Sequence, residues 1–80
     1  MKKEVIMPKV GLDMEEGTII EWYKKVGDEV EEGDVLFEVE TDKATTDVES
    51  DLNGRLVEIV VENGETVDVT EVVAWIETND

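Results

Sequence analysis

The chain has no cysteine and no histidine, and in 80 residues it has a single proline and a single serine. Without cysteine there is neither a disulfide nor a protein thiol, so cysteine usage indicates no redox compartment and the side chains supply no sulfur chemistry. Without histidine or cysteine, Ser50 lacks a conventional activating base, which excludes the common nucleophilic triads. Basic residues are scarce: seven Lys and Arg face 23 Asp and Glu, a formal charge of −16. Such a chain repels phosphate backbones and anionic lipid surfaces, so neither nucleic acid nor a membrane is expected as a partner. No apolar run is long enough to cross a bilayer, and Met1 to Pro8 lacks the apolar stretch of a signal peptide. A cytoplasmic domain is expected, or one in the mitochondrial matrix if the source is eukaryotic.

Hydrophobic residues make up 40% of the chain, mostly Val, Ile and Leu. That is enough for a compact core, so the charge does not imply disorder, and the carboxylates read as a solvated surface. Eighty residues predict one domain over 1–80, with its core from about residue 4 to 77. This is near the lower limit for a fold without metals or disulfides, and closing a sheet on itself would help.

Alternating apolar residues predict strands over Glu4–Met7, Thr18–Tyr23, Val35–Glu40, Thr45–Ser50, Arg55–Val61 and Val72–Glu77, with short extended segments around Val30 and Val67. Turns are expected at Gly27-Asp28, Gly33-Asp34, Asn53-Gly54 and Asn63-Gly64. Pro8 ends the first strand, and a long loop follows from Lys9 to Glu16.

The pattern repeats. Gly17 and Gly54 are 37 residues apart, as are Gly27 and Gly64, Glu21 and Glu58, Val30 and Val67, Val35 and Val72, and Thr41 and Thr78. Matching glycines imply matching turns. Neither half could bury its apolar face alone, so the expected fold is all-β, a flattened barrel or sandwich of two small antiparallel sheets related by quasi-twofold symmetry. Strand alternation sends Ile20, Trp22, Val57 and Ile59 inward, with Val35, Phe37, Val39, Val72, Ala74 and Ile76. Trp22 reads as a core anchor, and Trp75, on the opposite parity, as partly exposed.

At the centre of this pattern stands Glu40-Thr41-Asp42-Lys43-Ala44, a hairpin tip carrying one lysine. Asp42 suits such a turn because its carboxylate can bond backbone amides further along, while Lys43 has no core to enter and should point into water. The offset sets Lys43 against Asp80, so the tip is expected to lie opposite the chain ends.

Met7-Pro8-Lys9-Val10-Gly11, Met14-Glu15-Glu16-Gly17-Thr18-Ile19, Trp22, Val26-Gly27-Asp28, Gly33-Asp34, Glu38-Val39-Glu40-Thr41-Asp42-Lys43-Ala44 and Asn53-Gly54 together resemble the lipoyl domains of 2-oxo acid dehydrogenase complexes. The resemblance runs from about Val5 to Ile76, and the Asp-Lys-Ala tip is its most specific part. It implies a non-catalytic carrier module of a dihydrolipoamide acyltransferase, monomeric when isolated, with no catalytic or metal-binding residue of its own. Lys43 would hold amide-linked lipoic acid, attached by a lipoate ligase or lipoyl transferase, with Asp42 and Ala44 as the flanking turn. The partners implied are a thiamine-diphosphate 2-oxo acid decarboxylase, the acyltransferase core that transfers the acyl group to coenzyme A, and dihydrolipoamide dehydrogenase. The loop residues Gly11, Leu12, Asp13, Met14, Glu15 and Glu16, together with Glu40, are the implied partner-recognition positions. Two stretches depart from the pattern: Glu49-Ser50-Asp51-Leu52-Asn53-Gly54 stands where a small, proline-containing approach to that glycine is more common, and Val69-Thr70-Glu71-Val72 where Gly and Pro are often found.

The nearest rival is a biotinyl carrier of a biotin-dependent carboxylase, but that family typically flanks its lysine with methionines, where this chain has Asp42 and Ala44. The lipoyl carrier of glycine cleavage is normally longer and differs around the lysine. An unmodified acidic β-domain binding a basic partner would explain the charge but not the tip. A catalytic role for the many carboxylates lacks an obvious cleft. A calcium loop at Asp28–Gly33 fails because Val30 and Val39 occupy positions that need ligands.

Overall fold

A computed structural model describes residues 1–9 and 14–79. Every regular element among them is a strand: β1 Lys2–Ile6, β2 Glu16–Trp22, β3 Glu29–Val30, β4 Val35–Glu40, β5 Thr45–Glu49, β6 Gly54–Ile59, β7 Thr66–Asp68 and β8 Val72–Glu77. They form two four-stranded antiparallel sheets, ordered β1-β8-β6-β3 and β5-β4-β2-β7. The expected all-β, two-sheet architecture is the one observed.

The 37-residue repeat extends to individual pairings. In one sheet β2 meets β4 through Ile19 opposite Val39, Glu21 opposite Glu38 and Trp22 opposite Phe37. In the other, β6 meets β8 through Leu56 opposite Ile76, Glu58 opposite Trp75 and Ile59 opposite Ala74. Every residue of the second set lies 37 positions after its counterpart in the first. The short edge strands obey the same rule: Val30 pairs with Gly54, and Val67 with Gly17. Only the outer strands differ in origin, since β5 continues from β4 through a hairpin whereas β1 comes from the other end of the chain.

The core lies between the sheets and consists of Met7, Met14, Ile19, Val30, Leu36, Phe37, Val39, Val48, Leu56, Val61, Val73, Ala74 and Ile76. Trp22 packs against it, its ring 4.7 Å from that of Phe37 and its indole N–H donating to the Val61 carbonyl at 2.8 Å. It is the core anchor expected of it. Trp75 is half-buried and stands opposite the exposed Glu58 on the outer side.

Strict alternation misplaced four residues. Ile20 is 37% exposed and Val57 half-buried outside the core cluster, while Ile19 and Leu56 are fully buried. The cause is a bulge in each strand, between Ile19 and Glu21 and between Leu56 and Glu58, which reverses the parity of what precedes it. Val35 and Val72 are likewise only half-buried, because shifts between Val35 and Phe37 and opposite β8 between Val5 and Ile6 turn both Leu36-Phe37 and Val73-Ala74 inward. The bulges are themselves 37 residues apart, so the repeat preserved a feature that binary patterning does not encode.

Candidate functional site

The hairpin joining β4 to β5 closes with Glu40 paired to Thr45, which leaves Thr41–Ala44 as a four-residue turn. The Thr41 amide donates to the Ala44 carbonyl at 2.9 Å. The Thr41 hydroxyl then braces the turn from inside: Oγ1 accepts from the Lys43 and Ala44 amides, both at 3.3 Å, and lies 3.2 Å from the Ala44 carbonyl as donor. A hydroxyl at the first turn position reaches the amides two and three residues on. Sequence reasoning gave turn-shaping to the Asp42 carboxylate, but Asp42 holds the second position and is exposed. Lys43 and Ala44 are exposed too, and Thr41 is half-buried.

Beside the tip lies an open groove of about 660 Å³ lined by Met14, Glu15, Glu16, Gly17, Thr18, Glu40, Thr41, Asp42 and Thr66. The fold thus brings the end of the long loop against the hairpin, uniting Glu15 and Glu16 with Glu40 and Asp42, which are far apart in sequence. Among the described residues the lining holds four carboxylates and no basic side chain. A field of this sign draws cationic groups and repels anions. Met14, expected to meet partners, is only 8% exposed and belongs to the core. An apolar side chain at the mouth of β2 gains more from burial beside Gly17 than from contact with water. Gly11, Leu12, Asp13 and Asp80 lie outside the described residues. Thr41, Thr18 and Thr66 were missed as site residues, yet a signal for Thr41 was present in its match with Thr78. The Thr18 and Thr66 hydroxyls bond each other at 2.7 Å across β2 and β7. Among the described residues no group of three or more His, Cys, Asp or Glu is placed to hold a metal ion.

The biotin/lipoyl family model, described as "biotin-requiring enzyme", matches residues 3–76. The chain belongs to this family. Its fold is that of a lipoyl domain: the solution structure of the lipoyl domain of the 2-oxoglutarate dehydrogenase complex from Azotobacter vinelandii superposes with a TM-score of 0.77 at 27% identity, covering 96% of this chain and 98% of that one. Sequence relatives are acyltransferase components. The chain is 47% identical over 73 residues to the dihydrolipoyllysine-residue acetyltransferase of the pyruvate dehydrogenase complex from Corynebacterium glutamicum, covering 91% of this chain and 11% of that protein. It is 42% identical over 71 residues to the dihydrolipoyllysine-residue succinyltransferase of the 2-oxoglutarate dehydrogenase complex from Staphylococcus saprophyticus, covering 89% of this chain and 17% of that protein. The lipoyl domain therefore spans less than a fifth of the length of these relatives. Their names favour the lipoyl over the biotinyl branch of the family.

Proposed function

We propose that this lipoyl domain is a carrier in which Lys43 is the attachment point for lipoate. The observation that supports it most is an exposed lysine at the apex of a braced, four-residue hairpin turn. A group held through an amide needs only an accessible primary amine on a firmly held backbone, and the tip fits that requirement. The adjoining groove is polar and carboxylate-lined, so it offers an apolar arm no resting place and favours an extended one. When attached, lipoate supplies the acyl-carrying and redox chemistry that a chain without cysteine lacks.

The domain's own work is presentation. For amide formation, the exposed Nζ of Lys43 would act as the nucleophile toward an activated acyl carbon, whose leaving group would depart with the bonding pair while the nitrogen's extra proton passes to solvent. The charge of the lysine is lost in the product. Two sheets closed over one core keep the tip's position fixed relative to the rest of the domain. The partners on this reading are a lipoate ligase or lipoyl transferase, the 2-oxo acid decarboxylase, the acyltransferase core and dihydrolipoamide dehydrogenase. Glu15, Glu16, Glu40 and Asp42 form the anionic surface that such partners would meet beside the arm. Tethering to a larger chain would make each encounter effectively intramolecular, so docking need not be tight.

Intact mass after incubation with lipoate, ATP and a lipoate ligase tests the proposal, with biotin and a biotin ligase in parallel. A single lipoyl increment is expected, absent in Lys43→Arg. A biotin increment, or a lipoyl increment that survives Lys43→Arg, would refute it.

A further inference from the structure

We propose that Thr41 is a positioning residue for acylation of Lys43, acting through the turn it braces. The inference rests on the carrier reading above. It starts from an internal comparison: the tip and the paired chain ends are the same structure, built twice. Thr41 donates its amide to the Ala44 carbonyl at 2.9 Å, and Thr78, 37 residues later, donates its amide to the Met1 carbonyl at 2.8 Å. The Thr41 hydroxyl donates to the Ala44 carbonyl at 3.2 Å, and the Thr78 hydroxyl to the Met1 carbonyl at 3.0 Å. In both places a threonine closes the last rung between a central strand and its outer neighbour. Between Thr78 and Met1 the closure joins two strands far apart in sequence, and the position that matches Lys43 is Asp80.

At the tip the same hydroxyl does more. Its oxygen also accepts from the amides of Lys43 and Ala44. Those bonds fix the peptide planes on either side of the lysine Cα, and with them the direction in which the side chain leaves the backbone. A lysine side chain has several rotatable bonds, so a wandering Cα–Cβ vector would spread its amine over a wide volume. An enzyme that must bring that amine to an acyl carbon gains from having the vector set beforehand.

The arrangement separates stability from positioning. Thr41→Val keeps the side-chain shape and the backbone bond to Ala44, and the freed amides lie at an exposed turn where water replaces the hydroxyl. Little stability is at stake there. Thr78→Val removes the matching hydroxyl bond where the residue is only 5% exposed, so it costs more stability, but the position two residues on, which matches Lys43, is Asp80 and not a lysine. The two variants should therefore rank in opposite order on the two readouts.

The test compares wild type, Thr41→Val, Thr41→Ser and Thr78→Val as substrates of a lipoate ligase with lipoate and ATP, followed by intact mass. Urea denaturation and amide NMR spectra of each unmodified protein run alongside. Thr41→Val is expected to lose about ten- to a hundredfold in kcat for the domain with KM nearly unchanged. Its NMR changes should concentrate at Lys43 and Ala44. Thr41→Ser, which retains the oxygen, should recover most of the rate, and Thr78→Val should keep the wild-type kcat while unfolding at lower urea. Wild-type kcat in Thr41→Val overturns the inference and leaves the carrier reading intact. So does a loss confined to KM, which would mark Thr41 as a docking contact, or an equal fall in Thr78→Val, which would mark a general loss of folded protein. A wild-type domain that takes no lipoate removes both.

Discussion

Gly17 and Gly54 occupy the same place in the two halves of the molecule, each opposite a short edge strand, but they are not equally replaceable. A methyl group at Gly54 would overlap the backbone carbonyl of Glu77 on β8, which cannot retreat without opening the pairing of Arg55 with Glu77. A methyl group at Gly17 would meet side chains instead, Val39 at 2.6 Å and Met14 at 2.8 Å. The repeat therefore specifies backbone course, while the tolerance of each position is set by what crosses it. Gly54→Ala is expected to produce the largest loss, about 3 kcal/mol or more, against about 1–3 kcal/mol for Gly17→Ala, where Met14 can swing aside but the buried Val39 must shift. For a domain of ordinary stability the first change removes much of the whole and the second less of it. Urea midpoints of the two variants decide it, and equal losses would mean that the halves are more alike than their contacts indicate.

A second matched pair carries the comparison to the turns. Gly33 donates its amide to the Ser50 carbonyl with φ of 97°, and Thr70, its counterpart, donates to the Met7 carbonyl with φ of 74°. A β-branched residue in the left-handed region is strained by about 1–2 kcal/mol, whereas glycine is not. Thr70→Gly should relieve that strain, less the entropy cost of glycine in the unfolded chain, for a net gain of roughly 0.5–1 kcal/mol. A gain of 1 kcal/mol corresponds to roughly 4–8 °C in Tm at this size. The reverse change, Gly33→Thr, should lose more than Thr70→Gly gains, because it adds both strain and a branched side chain. Calorimetry that finds Thr70→Gly less stable than wild type would show that the threonine side chain contributes something beyond its backbone conformation.

The same pairs explain what could be read from the sequence. Spaced glycines and alternating apolar residues were enough for the two sheets, the tight turn at Thr41–Ala44 and the exposure of Lys43. The four bulges were not legible, because a bulge changes parity without changing composition: Ile19-Ile20 offers two apolar residues for one inward position, whereas Leu36-Phe37 sends both inward. Thr41 was overlooked for a related reason: Asp, Thr and Lys all suit a turn, and only its closed geometry shows which oxygen reaches the amides. Met14 was read as a surface residue because a loop position carries no periodicity from which to infer burial.

Asp34 supplies a smaller test, one confined to the first half. The Glu31 amide donates to its carboxylate at 2.9 Å, and the Lys24 ammonium lies 3.4 Å away; together they hold its pKa below the ordinary value despite some desolvation. Its counterpart, Glu71, has a longer side chain. A carboxylate with a lowered folded pKa contributes stability above its unfolded pKa and loses it as pH falls through the folded value. Asp34→Asn should therefore melt below wild type near neutral pH, with the difference closing in acid below the normal carboxylate range. A difference that stayed constant with pH would assign the effect to the turn's shape rather than to the charge.

The smallest expected effect separates local charge pairs from the charge of the whole. Added salt weakens the half-buried Lys24–Asp34 pair and the exposed Arg55–Glu29 pair, which is 3.8 Å apart. It also screens the mutual repulsion of a chain with a formal charge of −16. The first effect lowers stability and the second raises it. Pairs of this kind at the surface contribute about 1 kcal/mol or less each, while repulsion among 23 carboxylates acts across both halves at once. The Tm should therefore rise from low to moderate salt, and it should rise more in Asp34→Asn, which has less attraction to lose. A steady fall with salt would mean that a few favourable pairs outweigh the net charge, and that the two halves are held by local contacts more than they are strained by their shared sign.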